Sequence, residues 1–275
     1  MRFFHIPFQG KLCGSLIGLM MCAALIISTG CGSPDASLGA HQQSSKVPLT
    51  AGSSTAQILL FNGTGTTSSD VSAVESLLSS LKLVYSTANT SQIDGMSQTQ
   101  LEGYKLLIVP GGNSITIGDN LSKTATTNIH DAVINGGLHY LGVCAGAFFG
   151  GYSKYNGLNL TSGVWFNTYA NNGKGTGKTA VEISYPDGLP RLDQYWQDGP
   201  ELNGWGEIVG KYPDGTSAIV EGASGKGWVV LTGIHAEAPA SWRTGMNFTT
   251  SVAVDNAYFE TMVTAALAGT PLPSY

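Results

Sequence analysis

Three short apolar runs, each closed by a glycine turn, constrain this chain more than any other feature. Gln57-Ile-Leu-Leu-Phe61 ends in Asn62-Gly63, and Lys105-Leu-Leu-Ile-Val109 breaks at Pro110-Gly111-Gly112. His139-Tyr-Leu-Gly-Val143 leads directly into Cys144-Ala-Gly-Ala. Apolar runs this short, without polar alternation, read as strands buried on both faces, which is the situation in a parallel sheet covered by helices. The segments between them agree. From Ser68 to Leu81, apolar residues at Val71, Val74, Leu77, Leu78 and Leu81 recur at helical spacing, with Asp70 expected as the N-cap. Leu83 to Tyr85 reads as a second short strand, and Thr124 to Asn135 as a helix stopped by Gly136-Gly137. The expectation is an α/β fold with a mostly parallel central sheet flanked by helices.

Beyond Tyr152 the pattern changes. Val164 to Tyr169, Ala180 to Tyr185, Glu207 to Tyr212, Ala218 to Glu221 and Trp228 to Thr232 read as short strands between Gly- and Asn-rich turns. They are expected as antiparallel additions to one edge, the last returning to the central sheet. Val252 to Leu267 is a closing helix, and residues 56–275 read as one domain.

The first 55 residues look different. Arg2 and Lys11 precede an uncharged, mostly apolar run from Leu12 to Ile27, short for a membrane span but suited to a secretory signal. Ser28-Thr-Gly-Cys31 then resembles the lipobox of bacterial lipoproteins, although Ser28 stands where that motif carries Leu, Val or Ile. The resemblance implies a signal peptide over 1–30 and a lipidated Cys31. Gly32 after the cysteine implies no retention at the inner membrane. Plain signal cleavage with secretion is the alternative, and a signal anchor the third reading. Residues 31–55 are Ser-, Gly- and Gln-rich and read as a flexible tether. Cleavage would remove Arg2 and Lys11, leaving 11 basic against 18 acidic residues and a net charge of −7. The protein is thus expected at the cell envelope, lipid-anchored and periplasmic or surface-facing. Cys13 and Cys22 leave with the signal, so Cys144 becomes the one thiol of the folded part.

Gly142-Val-Cys144-Ala-Gly146 has the form of a nucleophile elbow, a sharp strand-to-helix turn in which glycines flank the reactive residue two positions to either side. The following helix N-terminus aims N–H groups at the site and favours an anionic sulfur. A cysteine nucleophile needs a base. His41 lies in the tether, His130 in a helix, and His139 at the far end of the elbow strand. His235 follows Trp228 to Thr232, so a parallel strand there brings it to the same sheet edge as Cys144. Glu237, two residues on, is placed to hold the imidazole tautomer. Gly112 and Ala145 are candidate oxyanion N–H donors, and Gly111, Asn113 and Ser114 candidate substrate contacts.

The order Pro-Gly-Gly, Gly-x-Cys-x-Gly, His-x-Glu resembles the class I glutamine amidotransferase-like superfamily. Val109-Pro-Gly-Gly112, Gly137 to Ala147 and Leu231 to Glu237 look most like the N-terminal domain of biotin-protein ligases, which free-standing bacterial proteins share. Gln194 to Pro200 looks like that domain's aromatic-Gly-Pro segment. The resemblance spans about residues 56–268. It implies a flavodoxin-like fold, Cys144 as nucleophile, His235 as base and Glu237 as orienter. Ala236 departs from the family, where amidotransferases carry Pro. No biotin-ligase catalytic domain or ammonia-accepting synthetase domain is expected here, so neither ligation nor coupled amidation is assigned to the chain alone.

Composition removes other classes. With 13 basic and 18 acidic residues and no basic cluster, no nucleic-acid partner is expected. Asn172 to Thr179 nearly spells a phosphate-binding loop, but Asn172 replaces its first glycine. No metal pattern and no cofactor motif stand out. Trp165, Tyr195, Trp196, Trp205 and Trp242 belong either to the core or to a pocket rim. Two functions remain: an envelope cysteine hydrolase of amidotransferase type, acting on an unidentified small-molecule or envelope amide or ester, and a non-catalytic binding domain that keeps the fold.

Overall fold

The computed structural model describes residues 56–169, 177–186 and 188–275. The expected signal peptide, Cys31, His41 and the tether lie outside the described residues, as does most of the Asn172 to Thr179 loop. The strands in chain order are β1 (Ile58–Phe61), β2 (Tyr85–Ala88), β3 (Leu106–Val109), β4 (His139–Val143), β5 (Asn167–Thr168), β6 (Lys178–Ile183), β7 (Leu192–Gln197), β8 (Pro200–Glu201), β9 (Glu207–Lys211), β10 (Ser217–Ser224) and β11 (Gly227–Thr232). The helices are α1 (Ser68–Ser80), α2 (Thr90–Asp94), α3 (Gln98–Leu101), α4 (Ser114–Asn120), α5 (Lys123–Asp131), α6 (Ala145–Gly150) and α7 (Val252–Ala268). The central sheet has the order β2-β1-β3-β4-β11-β10-β9. Its first five members run parallel, while β10 and β9 are antiparallel additions at one edge. The parallel part follows the flavodoxin-like order.

Both faces of this sheet are covered, which explains the unbroken apolar runs. Ile58 and Leu60, Leu106 and Ile108, Leu141 and Val143, and Val230 point to one side, against α1 and α7. Leu59 and Phe61, Leu107 and Val109, Tyr140, and Val229 and Leu231 point to the other, against the layer that includes α4, α5 and α6. Every residue of β1 and β3 is buried, and each such aliphatic side chain contributes about 1.5–3 kcal/mol.

Several elements differ from expectation for local reasons. Thr67, not Asp70, occupies the N-cap position of α1, and Asp70 is the helix's third residue. The second strand begins at Tyr85 rather than Leu83, because Lys82 turns into the left-handed region (φ 54°) and the Leu83 N–H closes back on the Leu78 carbonyl. Within Val164 to Tyr169 only Asn167 and Thr168 pair as a strand. Leu192–Gln197 forms a strand that polar residues disguise; it pairs antiparallel with β6 as a separate hairpin. The short helices α2, α3 and α4 fall below the length that periodicity can reveal, and each is started by a side-chain cap, from Asn89, Ser97 and Asn113 respectively. Among the described residues no helix is long and apolar enough to cross a membrane.

Candidate active site

The loops that leave β1, β3, β4 and β11 all emerge at the carboxyl edge of the sheet, where open α/β sheets bind ligands. Cys144 stands between β4 and α6 with φ 50° and ψ −102°, a conformation that L residues rarely adopt. Its N–H donates to the Thr232 carbonyl at 2.8 Å, tying the turn to β11. The two glycines of the elbow are required by space. A Cβ on Gly146 would lie 1.9 Å from the Val109 carbonyl oxygen, and one on Gly142 would lie 2.5 Å from that of Gly146. The thiol is buried and donates to the Gln197 carbonyl at 3.5 Å.

His235 leaves the end of β11, and its N–H donates to the Tyr195 carbonyl at 2.8 Å, so β7 pins it from outside the central sheet. The ring is buried, with Nδ1 2.8 Å from Glu237 Oε1. Tyr195 and Trp242 meet the ring edge-on, each with centroids 5.7 Å away. Burial alone opposes the imidazolium. The Glu237 carboxylate, hydrogen-bonded to Nδ1, and the neighbouring Cys144 outweigh it and hold the His235 pKa well above the ordinary value. Glu237 Oε2 is buried without a hydrogen-bond partner among the described residues. The cysteine at position 144 and the His-x-Glu pair at 235 and 237 thus meet at one edge.

Gly112, Asn113, Ser114 and Ala145 line a cavity of about 760 Å³ together with Cys144 and His235. Gly112 takes φ 148°, and the loop around it is locked by Thr67 N–H to Gly111 O at 3.0 Å and Asn113 N–H to Gly65 O at 2.8 Å. The Asn113 side chain caps α4 by accepting from the Thr116 N–H at 2.9 Å. Gly111 differs from its expected role as a substrate contact: it is buried behind the cavity wall, where a Cβ would lie 2.0 Å from Asp70 Oδ1 and 2.7 Å from His235 Cε1. Of the late aromatics, Trp165, Tyr195 and Trp242 line the cavity, and Trp196 is core.

The residue that no motif marks is Asp70. It is buried, and its Oδ1 lies 3.4 Å from His235 Nδ1. Burial first, and then the Glu237 charge, push its pKa up to about 6, against the pull of His235. A signal is present in the spacing. Asp70 is in phase with Val74 and Leu77, a lone acid on the apolar stripe of α1. Among the described residues, Asp70, His235 and Glu237 form a group whose donor atoms lie within 4.8 Å of one another. Within that group the imidazole Nδ1 and Glu237 Oε1 are in direct hydrogen-bond contact at 2.8 Å.

The other described histidines have structural partners. His130 Nδ1 meets the Leu158 carbonyl at 2.9 Å, and His139 Nδ1 accepts from the Trp228 N–H at 2.8 Å.

Residues 56–156 match the family model for the N-terminal domain of biotin-protein ligase. That segment runs from β1 through the elbow. A glutamine amidotransferase structure aligns with a TM-score of 0.55 at 20% identity, covering 78% of this chain and all of the other. PurLQS from Thermotoga maritima aligns at 0.52 and 14% identity, over 75% of this chain and 97% of that one. A protein from Thermoplasma acidophilum described as a putative GMP synthase component aligns at 0.50 and 12% identity, over 77% and 94%. No curated protein matches the chain. The fold is that of class I glutamine amidotransferase-like proteins.

Proposed function

We propose that this protein is an amidotransferase-like cysteine hydrolase that acts on an amide or ester. Cys144 attacks the carbonyl carbon, and His235 takes the thiol proton and returns it to the leaving group. Glu237 holds the imidazole by Nδ1, and the Gly112 and Ala145 N–H groups stabilise the oxyanion. Water then releases the acyl-enzyme. The observation that carries this reading is the elbow cysteine in its left-handed conformation beside a buried histidine whose Nδ1 is 2.8 Å from a buried carboxylate. Asn113 and Ser114, at the start of α4, are the nearest candidates for substrate contacts on the cavity wall. Anchoring at the envelope through a lipid on Cys31 belongs to the same reading and rests on the lipobox-like sequence.

A thiol-directed probe tests the chemistry. Cys144 should alkylate at least about tenfold faster than a free thiol at neutral pH, and His235→Ala should remove that advantage. Equal rates for Cys144, free thiol and the histidine variant would sink the enzyme reading. The second reading, a binding domain without turnover, has one observation in its favour: the thiol is closed off against the Gln197 carbonyl. Released products from envelope fractions, compared between wild type and Cys144→Ala, separate turnover from binding.

A further inference from the structure

Asp70 stands out among the groups that the three-residue mechanism leaves unused. An acid in the first turn of a helix ordinarily faces solvent and the helix dipole. This one is turned inward and lines the cavity beside Cys144 and His235. Two independent features hold it there. The N-terminal turn of α1 is stapled to the loop after β3 by Thr67 N–H to Gly111 O and by the Thr66–Gly112 bridge. Gly111 then leaves vacant the side-chain volume that would push Asp70 Oδ1 and His235 apart, since a Cβ there would overlap both. No positive φ accompanies Gly111, so an alanine is excluded by the neighbouring side chains and not by its own backbone.

We propose that Asp70 is a positioning residue for His235, a second carboxylate on Nδ1 whose ionisation strengthens the imidazolium and thereby switches on the Cys144 nucleophile as pH rises. The proposal rests on Cys144 acting as the nucleophile. Nδ1 is hydrogen-bonded to Glu237 Oε1 at 2.8 Å, and Asp70 Oδ1, 3.4 Å away, adds a second negative charge beside it when ionised. The groups facing Asp70 are His235 and Glu237 from the loop after β11, Tyr195 from β7, and the neighbouring Ser69 hydroxyl, which donates to Oδ2 at 3.3 Å. Cys144 faces His235 from the elbow, and Asp198 acts on Tyr195. With Asp70 titrating near 6, its charge appears across the mildly acidic range. Below that range Asp70 is neutral; above it Asp70 adds its support to the imidazolium, and the thiol proton passes to His235 more readily.

The test is the rate of Cys144 alkylation by iodoacetamide between pH 4.5 and 9, on wild type, Asp70→Asn and Gly111→Ala. Thermal unfolding of each serves as the check on folding. The wild-type profile should rise through an inflection near pH 6. Asp70→Asn keeps the shape of the side chain and removes only its charge. It should lose the inflection and react about tenfold more slowly at pH 7, the change that one pKa unit on the imidazole produces. Gly111→Ala keeps the charge and displaces it, and should reproduce the Asp70→Asn profile. A folded Asp70→Asn protein whose profile superimposes on wild type overturns the proposal while leaving Cys144 as the nucleophile. A wild-type Cys144 no more reactive than a free thiol at any pH overturns both readings together.

Discussion

His235 and His139 lie at opposite ends of one pair of strands, His235 just past the carboxyl end of β11 and His139 at the start of β4. Burial acts on both in the same direction, against the charged ring. At His139 nothing resists it. Lys105 adds repulsion, the pKa falls below its ordinary value, and the neutral ring accepts a hydrogen bond from Trp228 N–H. At His235 the burial is deeper, yet Glu237 and Cys144 reverse the outcome and the pKa rises. Neighbouring charge, then, and not depth, separates a histidine that packs from one that can hold a proton for chemistry. The carboxyl edge also holds the strained backbone of Cys144 and the close approaches of Gly142 and Gly146, and the opposite edge has close approaches of its own at Gly225 and Gly227.

The strongest way to break this contrast is Glu237→Gln. It leaves a buried imidazolium with the more distant Asp70 as its remaining carboxylate, and should destabilise the fold by about 3–5 kcal/mol in urea titrations. The His235 resonance followed by NMR should then titrate well below its wild-type midpoint, towards the behaviour of His139. A loss under about 1 kcal/mol with an unchanged midpoint would show that Glu237 does not hold the charge. Next comes a pair of alanine substitutions, one at each end. Gly146→Ala drives a Cβ into the Val109 carbonyl and should cost about 3 kcal/mol or more. Gly269→Ala ends α7 with a left-handed alanine (φ 64°) and crowds only the movable His139 ring, so about 1 kcal/mol is expected. Equal costs would show that the elbow glycine is no more constrained by its neighbours than the cap glycine of α7.

The last contrast concerns His139 itself. His139→Phe leaves the Trp228 N–H without its acceptor and should cost about 1–2 kcal/mol, with Cys144 alkylation unchanged. Its pH dependence has a definite sign. The folded pKa of His139 is lowered, so its contribution to stability is present above the unfolded value of 6.5 and is lost as pH falls through the folded one. His235 is the reverse: its contribution is complete below 6.5 and fades as pH rises through its raised pKa. Urea midpoints from pH 5 to 9 should therefore show the acid-side decline shrink in His139→Phe. A steeper decline would contradict the assignment.

Legibility follows the length and regularity of the local signal. β1, β3, β4 and α7 can be read because their apolar patterns run at least four residues without a competing polar one. β7 cannot, since Asp193, Gln194 and Gln197 interrupt it and its reason for being a strand lies in β6 and in the His235 backbone. Within the site, Cys144, His235 and Glu237 are visible because an elbow needs glycines at fixed offsets and a His-x-Glu pair is local. Asp70 reads as a helix cap, the commonest local use of an acid near a helix start, and Gly111 as a substrate contact. Both instead belong to a contact between α1 and the loop after β3, which lie about forty residues apart in the chain.

By itself, the sequence determined that this is an α/β chain with a parallel sheet, that its cysteine sits on a strained strand-to-helix turn, and that His235 comes to the same sheet edge. Those follow from periodicity and from the few residues that tight turns admit. Tertiary structure alone decided which side chains surround that histidine. The proton affinity of His235 depends on charges from α1, the elbow and its own loop brought within a few ångströms in a buried pocket, and such a sum exists only once the segments have packed.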